Sequence, residues 1–177
     1  ICYDKVLPRD QHKAHTILRA ATPTKAGAIS LKNKAWVNGS VIRIRFVSGT
    51  EDQKDMVRQF APKWAEHANL TFEFTEDFDA EIRIAFDHND GAWSYVGTDK
   101  LHIPNNQTTL NLGWQDEAVI LHEFGHMIGL SHEHSNPDGG IQWNEEVVLR
   151  ELAGAPNFWD ADTVRHNVLT KYDLDQI

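Results

Sequence analysis

The stretch His122-Glu123-Phe124-Gly125-His126-Met127-Ile128-Gly129-Leu130-Ser131-His132 places three histidines and a carboxylate within eleven residues. On a helix, positions four apart lie about 40° from each other around the axis, so His122 and His126 project from one face and their imidazoles can share one ion. Glu123, one step round, falls beside that ion, which suits a carboxylate that takes a proton from a polarised water. His132 lies about 280° round from His122 if the helix continues, too far to join them. The helix must therefore stop. Gly129 stands where a left-handed residue lets the chain reverse, and glycine has no Cβ to oppose it. A buried helix with incidental polar residues is the competing reading, but it leaves two histidines and a glutamate to be satisfied inside an apolar segment, which is costly.

The surrounding helix is expected over about 116–128. Val119, Ile120, Leu121, Phe124, Met127 and Ile128 make it apolar nearly all round, the mark of a central, buried element. Upstream, VIRIRFV at 41–47 alternates as a half-buried strand does, with Ile42, Ile44 and Phe46 opposed to Arg43 and Arg45. Thr50 and Gln53 form a capping-box pattern, and Met56, Phe60 and Trp64 recur at helical spacing, so a helix is expected over about 51–67 with Pro62 as a kink or early end. LTFEF (70–74), EIRIAF (81–86) and TTLNL (108–112) read as further strands, and a short edge strand is expected near Ala92–Val96. Two more helices are expected, at about 144–154 and 160–172. Strands and helices share one sheet, so the fold class is mixed, α+β.

At 177 residues, with 41% hydrophobic and 24% charged residues, the chain suits one ordinary folded domain. Residues 1–38 lack sustained periodicity and read as an N-terminal arm or propeptide-like segment with a short helix near 11–20, ahead of a catalytic domain over 39–177. A formal charge of -9 argues against gripping a phosphate backbone, so no nucleic-acid partner is expected. No apolar run approaches the roughly 20 residues that cross a bilayer, so no membrane partner is expected either. The first residues, ICYDKVLPRD, lack the layout of a secretory signal. Cys2 is the single cysteine, which excludes internal disulfides and leaves the compartment open. A secreted or extracellular monomer is expected.

HEFGHMIGLSH matches HExxHxxGxxH, and Glu133 directly after the third histidine completes HEH. The chain thus resembles the metzincin zinc endopeptidases, and within them the astacin branch of bacterial and fungal type. GAWSYVG (91–97) and TTLNLGW (108–114) extend the resemblance, which covers roughly residues 40–172. It implies a twisted five-stranded mixed sheet with an antiparallel edge strand, a backing helix and an active-site helix. It also implies Zn2+ held by His122, His126 and His132, with Glu123 as general base, and a protein or peptide substrate laid along an edge that includes Trp93, Ser94 and Tyr95. Metzincins carry a methionine turn downstream of the third histidine, and astacins a tyrosine two residues beyond it. Met56 and Met127 both precede His132, so the sequence is expected to be a fragment that stops before that turn.

Cys2 is a candidate fourth zinc ligand that would keep the site latent, since thiolate binds zinc strongly, and the Asp4 carboxylate is a weaker candidate for the same task. The competing function is a zinc-binding protein that is inactive or latent, with a structural metal or a blocked site. His134 is assigned to the cleft rim or to support of the ligands. Among the aromatics, Trp93 is the one assigned to a cleft wall and the other tryptophans to the core.

Overall fold

The computed structural model describes Tyr3–Lys5 and residues 29–155 and 157–177 of the chain. The strands are β1 (Tyr3–Lys5), β2 (Ile29–Ser30), β3 (Val41–Phe46), β4 (Thr71–Phe74), β5 (Ile82–Ala85), β6 (Ala92–Tyr95), β7 (Leu110–Leu112) and β8 (Leu130–Ser131). The helices are α1 (Glu51–Phe60), α2 (Glu117–Ile128), α3 (Glu145–Ala153) and α4 (Ala161–Val164). The main sheet runs β1-β6-β7-β5-β3-β4. Its five central and distal strands are the mixed sheet expected: β4, β3, β5 and β7 are mutually parallel, and β6 is antiparallel to β7. Outside them β1 adds a sixth strand, parallel to β6. The expected short helix near residues 11–20 lies outside the described residues.

Local chemistry accounts for the elements. On β3, Ile42 and Ile44 are fully buried, while Arg43 turns to the other face and holds Glu81 and Asp79. The side chain of Thr50 accepts from the Gln53 N–H and that of Gln53 from the Thr50 N–H, closing the capping box of α1. Pro62 ends the α-helix early, and Ala61–Glu66 tightens into a 3₁₀ turn, because proline supplies no N–H to the helical ladder. The expected helix over 160–172 is shorter. After α4 the chain widens over Arg165–Leu169, where the Thr170 N–H reaches back five residues to the Arg165 carbonyl.

The core fills the space between the sheet and the pair α1 and α2. Ile42, Ile44, Val57, Ile82, Ile84, Leu110, Leu112, Ile120, Phe124 and Met127 are all buried there. Two tryptophans pin α2: Trp64 Nε1 donates to the Leu121 carbonyl (2.9 Å) and Trp36 Nε1 to the Met127 carbonyl (2.9 Å). A strap, residues 29–36, crosses the end of α2. It pairs β2 with β8 and gives the Lys34 carbonyl to the Thr98 N–H. Gly97 lies at φ +49, and a Cβ there would overlap the Lys34 carbonyl oxygen, so glycine is what lets the strap pass.

Candidate metal centre and its edge strand

Helix α2 is started by Asp116, whose side chain accepts from the Val119 N–H at 2.8 Å, and is stopped by Gly129 at φ 115. The Gly129 N–H closes onto the Gly125 and His126 carbonyls, the chain reverses into β8, and His132 arrives beside the helix it has just left. The expected geometry holds. The Nε2 atoms of His122, His126 and His132 form a triangle with sides of 3.1, 3.2 and 3.2 Å. Three nitrogens each about 2.0–2.1 Å from a tetrahedral ion stand roughly 3.4 Å apart, so the triangle fits one zinc-sized ion. These three are the group among the described residues able to hold a metal.

The second nitrogen of one ligand is already assigned. His126 Nδ1 lies 2.9 Å from the Leu130 carbonyl, which accepts only if Nδ1 carries the proton, leaving the Nε2 lone pair directed at the triangle. His134 stacks on His132 with ring centroids 5.0 Å apart, and its Nε2 lies 2.9 Å from the Asn167 carbonyl. Its place is thus behind the third histidine. Glu123 is fully buried at the foot of a pocket of about 270 Å³, lined by Ala92, Trp114, Ala118, Val119 and His122.

Trp93, Ser94 and Tyr95 lie together on β6, but their side chains are largely withdrawn. Trp93 Nε1 donates to Asp90 at 2.8 Å, the Trp93 and Tyr95 rings meet edge to face, and Ser94 is fully buried. What this edge offers an extended chain is its backbone. Burial, with the negative charge of Asp99, pushes the Tyr95 phenol up from its usual value. In the described residues the edge is taken by β1, with Asp4 opposite Ser94 in register. Cys2, the candidate latency ligand, lies outside the described residues.

Several buried ionic groups escaped the sequence reading. Lys34 Nζ meets Asp99 at 2.5 Å with both side chains buried. Arg83, pushed down by burial, donates to the Ala80, Ile103 and Gln107 carbonyls at 2.8, 2.9 and 2.7 Å and so fastens the loop before β7 to β5. Lys100 is fully buried behind β6. None carries a local signal: Lys34 and Lys100 sit in irregular segments without periodicity, and Arg83 reads as the outward position of an alternating strand.

The family model of Astacin, a peptidase family, matches residues 28–177. The chain belongs to the astacin family. Its cofactor is Zn2+, and astacin-family homologues are zinc metalloendopeptidases acting on protein or peptide chains. A solved structure of myroilysin superposes with a TM-score of 0.78 at 37% identity, covering 84% of this chain and 75% of that one. Tolloid-like protein 1 of Mus musculus is 30% identical over 175 residues, which is 95% of this chain and 16% of that protein. Bone morphogenetic protein 1 of Xenopus laevis is 25% identical over 222 residues, covering 98% of this chain and 31% of that protein. This astacin-family chain therefore spans less than a third of the length of these curated relatives.

Proposed function

We propose that this chain is a zinc-dependent endopeptidase that hydrolyses internal peptide bonds, with His122, His126 and His132 as the metal ligands and Glu123 as the general base. The observation that carries the reading is the triangle of imidazole nitrogens, 3.1–3.2 Å on a side, with a buried carboxylate on the adjacent helix position. Zinc, when bound, supplies the Lewis acid that polarises the scissile carbonyl and makes water acidic enough to be deprotonated near neutral pH. Glu123 takes that proton and later delivers it to the leaving amine. The backbone of β6 orients the substrate as an added strand, and the pocket beside His122 and Glu123, walled by Ala92, Ala118, Val119 and Trp114, receives an apolar side chain and excludes water from the base.

The proposed setting is a monomer acting on protein or peptide outside the cell, without nucleic-acid or membrane partners. No helix among the described residues is long and apolar enough to cross a membrane. The proposed division is an N-terminal segment over 1–38 followed by a catalytic domain over 39–177, with the strap of residues 29–36 packed against that domain.

One observation favours a latent form of the same site. Strand β1 runs along β6, on the edge proposed for substrate, and Cys2 directly precedes it. A thiolate from that position as fourth ligand would shut out water. The test is cleavage of a diverse peptide library by the parent chain, its Glu123→Ala form and its Cys2→Ser form at equal zinc content. Glu123→Ala is expected to lower hydrolysis by about 10²–10⁴-fold, and Cys2→Ser to raise it if the thiol blocks the metal. Hydrolysis unchanged in Glu123→Ala removes the base from the mechanism.

A further inference from the structure

Lys100 has no part in the mechanism above, yet it is fully buried, and burial drives its amine well below the usual lysine range, partly offset by the charges of Asp99 and Glu123. Its Nζ donates to Ser94 Oγ at 3.0 Å and to the Tyr95 carbonyl, and Ser94 Oγ in turn donates to that same carbonyl at 2.9 Å. The carboxylate beside it in sequence, Asp99, is engaged by Lys34. A lysine amine buried in a dry site is expensive without partners, so the contacts it makes there have to matter to the fold or to the site.

The ladder between β6 and β7 explains what it holds. An antiparallel hydrogen-bonded pair exchanges two bonds. Tyr95 and Thr109 exchange one: the Tyr95 N–H reaches the Thr109 carbonyl at 3.1 Å, but the Thr109 N–H is turned to Arg83 on β5 at 2.9 Å. The Tyr95 carbonyl lies at this fork between two strands, and there it accepts from both Lys100 Nζ and Ser94 Oγ. Ser94, the residue at the centre of the edge strand, is gripped by the same amine. From Gly97 to Lys100 the chain is a 3₁₀ turn anchored on the strap through Lys34, so the grip is backed by rigid structure.

We propose that Lys100 is a positioning residue for substrate: its buried amine braces the fork at Tyr95 and fixes β6 in the conformation whose outer edge, paired with β1 in this structure, takes an extended peptide in place of β1. This inference rests on the reading of β6 as the substrate edge. It assigns to Lys100 the affinity for backbone length, not the chemistry at the metal.

The test measures peptide binding by calorimetry to the zinc-loaded chain carrying Glu123→Ala, with and without Lys100→Met. The probes are an acetylated and amidated apolar heptapeptide, long enough to pair along β6, and a blocked dipeptide that reaches only the pocket. With Lys100 present the heptapeptide binds more tightly than the dipeptide. With Lys100→Met the heptapeptide Kd rises about tenfold, the size expected for one or two hydrogen bonds, while the dipeptide Kd and the zinc content stay unchanged. Ser94→Ala, which removes one shared acceptor, shifts the heptapeptide in the same direction by less and serves if the methionine variant does not fold. Equal weakening of both peptides, or no change in either, overturns the role of Lys100. A heptapeptide no tighter than the dipeptide with Lys100 in place, also in an Asp4→Pro form that weakens the pairing of β1 with β6, overturns the reading of β6 itself.

Discussion

The side chains that β3 and β5 turn toward α1 and α2 are Ile42, Ile44, Ile82 and Ile84, every one fully buried. Around β6 and the end of α2 the buried set mixes the polar Lys34, Ser94, Asp99, Lys100, Glu123 and His126 with the apolar Ala92, Trp93 and Val96. One half of the domain is thus closed by apolar packing and the other by a smaller apolar cluster together with polar groups that each need a partner. Helix α2 is the wall between them: Ile120, Phe124 and Met127 join the apolar core, while His122 and His126 belong to the candidate metal site. The difference is one of tolerance. An apolar half loses stability in proportion to the volume removed, whereas a polar half fails wherever a backbone approach or a donor is lost.

That contrast can be broken at two positions. Phe124, fully buried and edge to face with Phe72 at 5.8 Å, is expected to give the larger effect: Phe124→Ala costs about 3–5 kcal/mol in denaturant unfolding. If the cost falls below about 1 kcal/mol, the wall is held mainly from its polar side. Gly97→Ala tests the other half. It adds a left-handed backbone penalty to an overlap with the Lys34 carbonyl and is expected to cost about 2–4 kcal/mol. That variant should also loosen the strap, read as faster amide exchange at Thr98, whose N–H bonds the Lys34 carbonyl at 2.8 Å. A neutral Gly97→Ala would show that the strap yields freely and that the polar half is not rigid.

The apolar half was legible because its periodicity is strong. The alternation of VIRIRFV, the capping box at Thr50 and the continuous apolar surface of α2 each give the right element, and Gly129 gives the reversal that brings in His132. The polar half was legible only where a motif concentrates chemistry in one short stretch. Lys100 and Asp99 share a 3₁₀ turn whose sequence, GTDKLH, has no period to mark which side chains point inward. Lys34 acquires its meaning from Asp99, sixty-five residues away, and Tyr95 from a ladder that forks at Thr109. Such groups are paired by tertiary approach, which neither propensity nor spacing reports. The same holds for the proposed substrate edge, where the letters Trp93, Ser94 and Tyr95 suggest side-chain contacts although burial withdraws those side chains and β1 pairs with the backbone.

The central claim is that three imidazoles, two from α2 and one delivered by the turn at Gly129, hold one catalytic metal. Zinc content per chain after dialysis, measured by atomic absorption, tests it most directly. The parent and the Glu123→Ala form are both expected to retain about one zinc per chain, because the glutamate is not a ligand, and His126→Ala to lose most of it. Stoichiometric zinc in His126→Ala, or its loss in Glu123→Ala, would contradict the account.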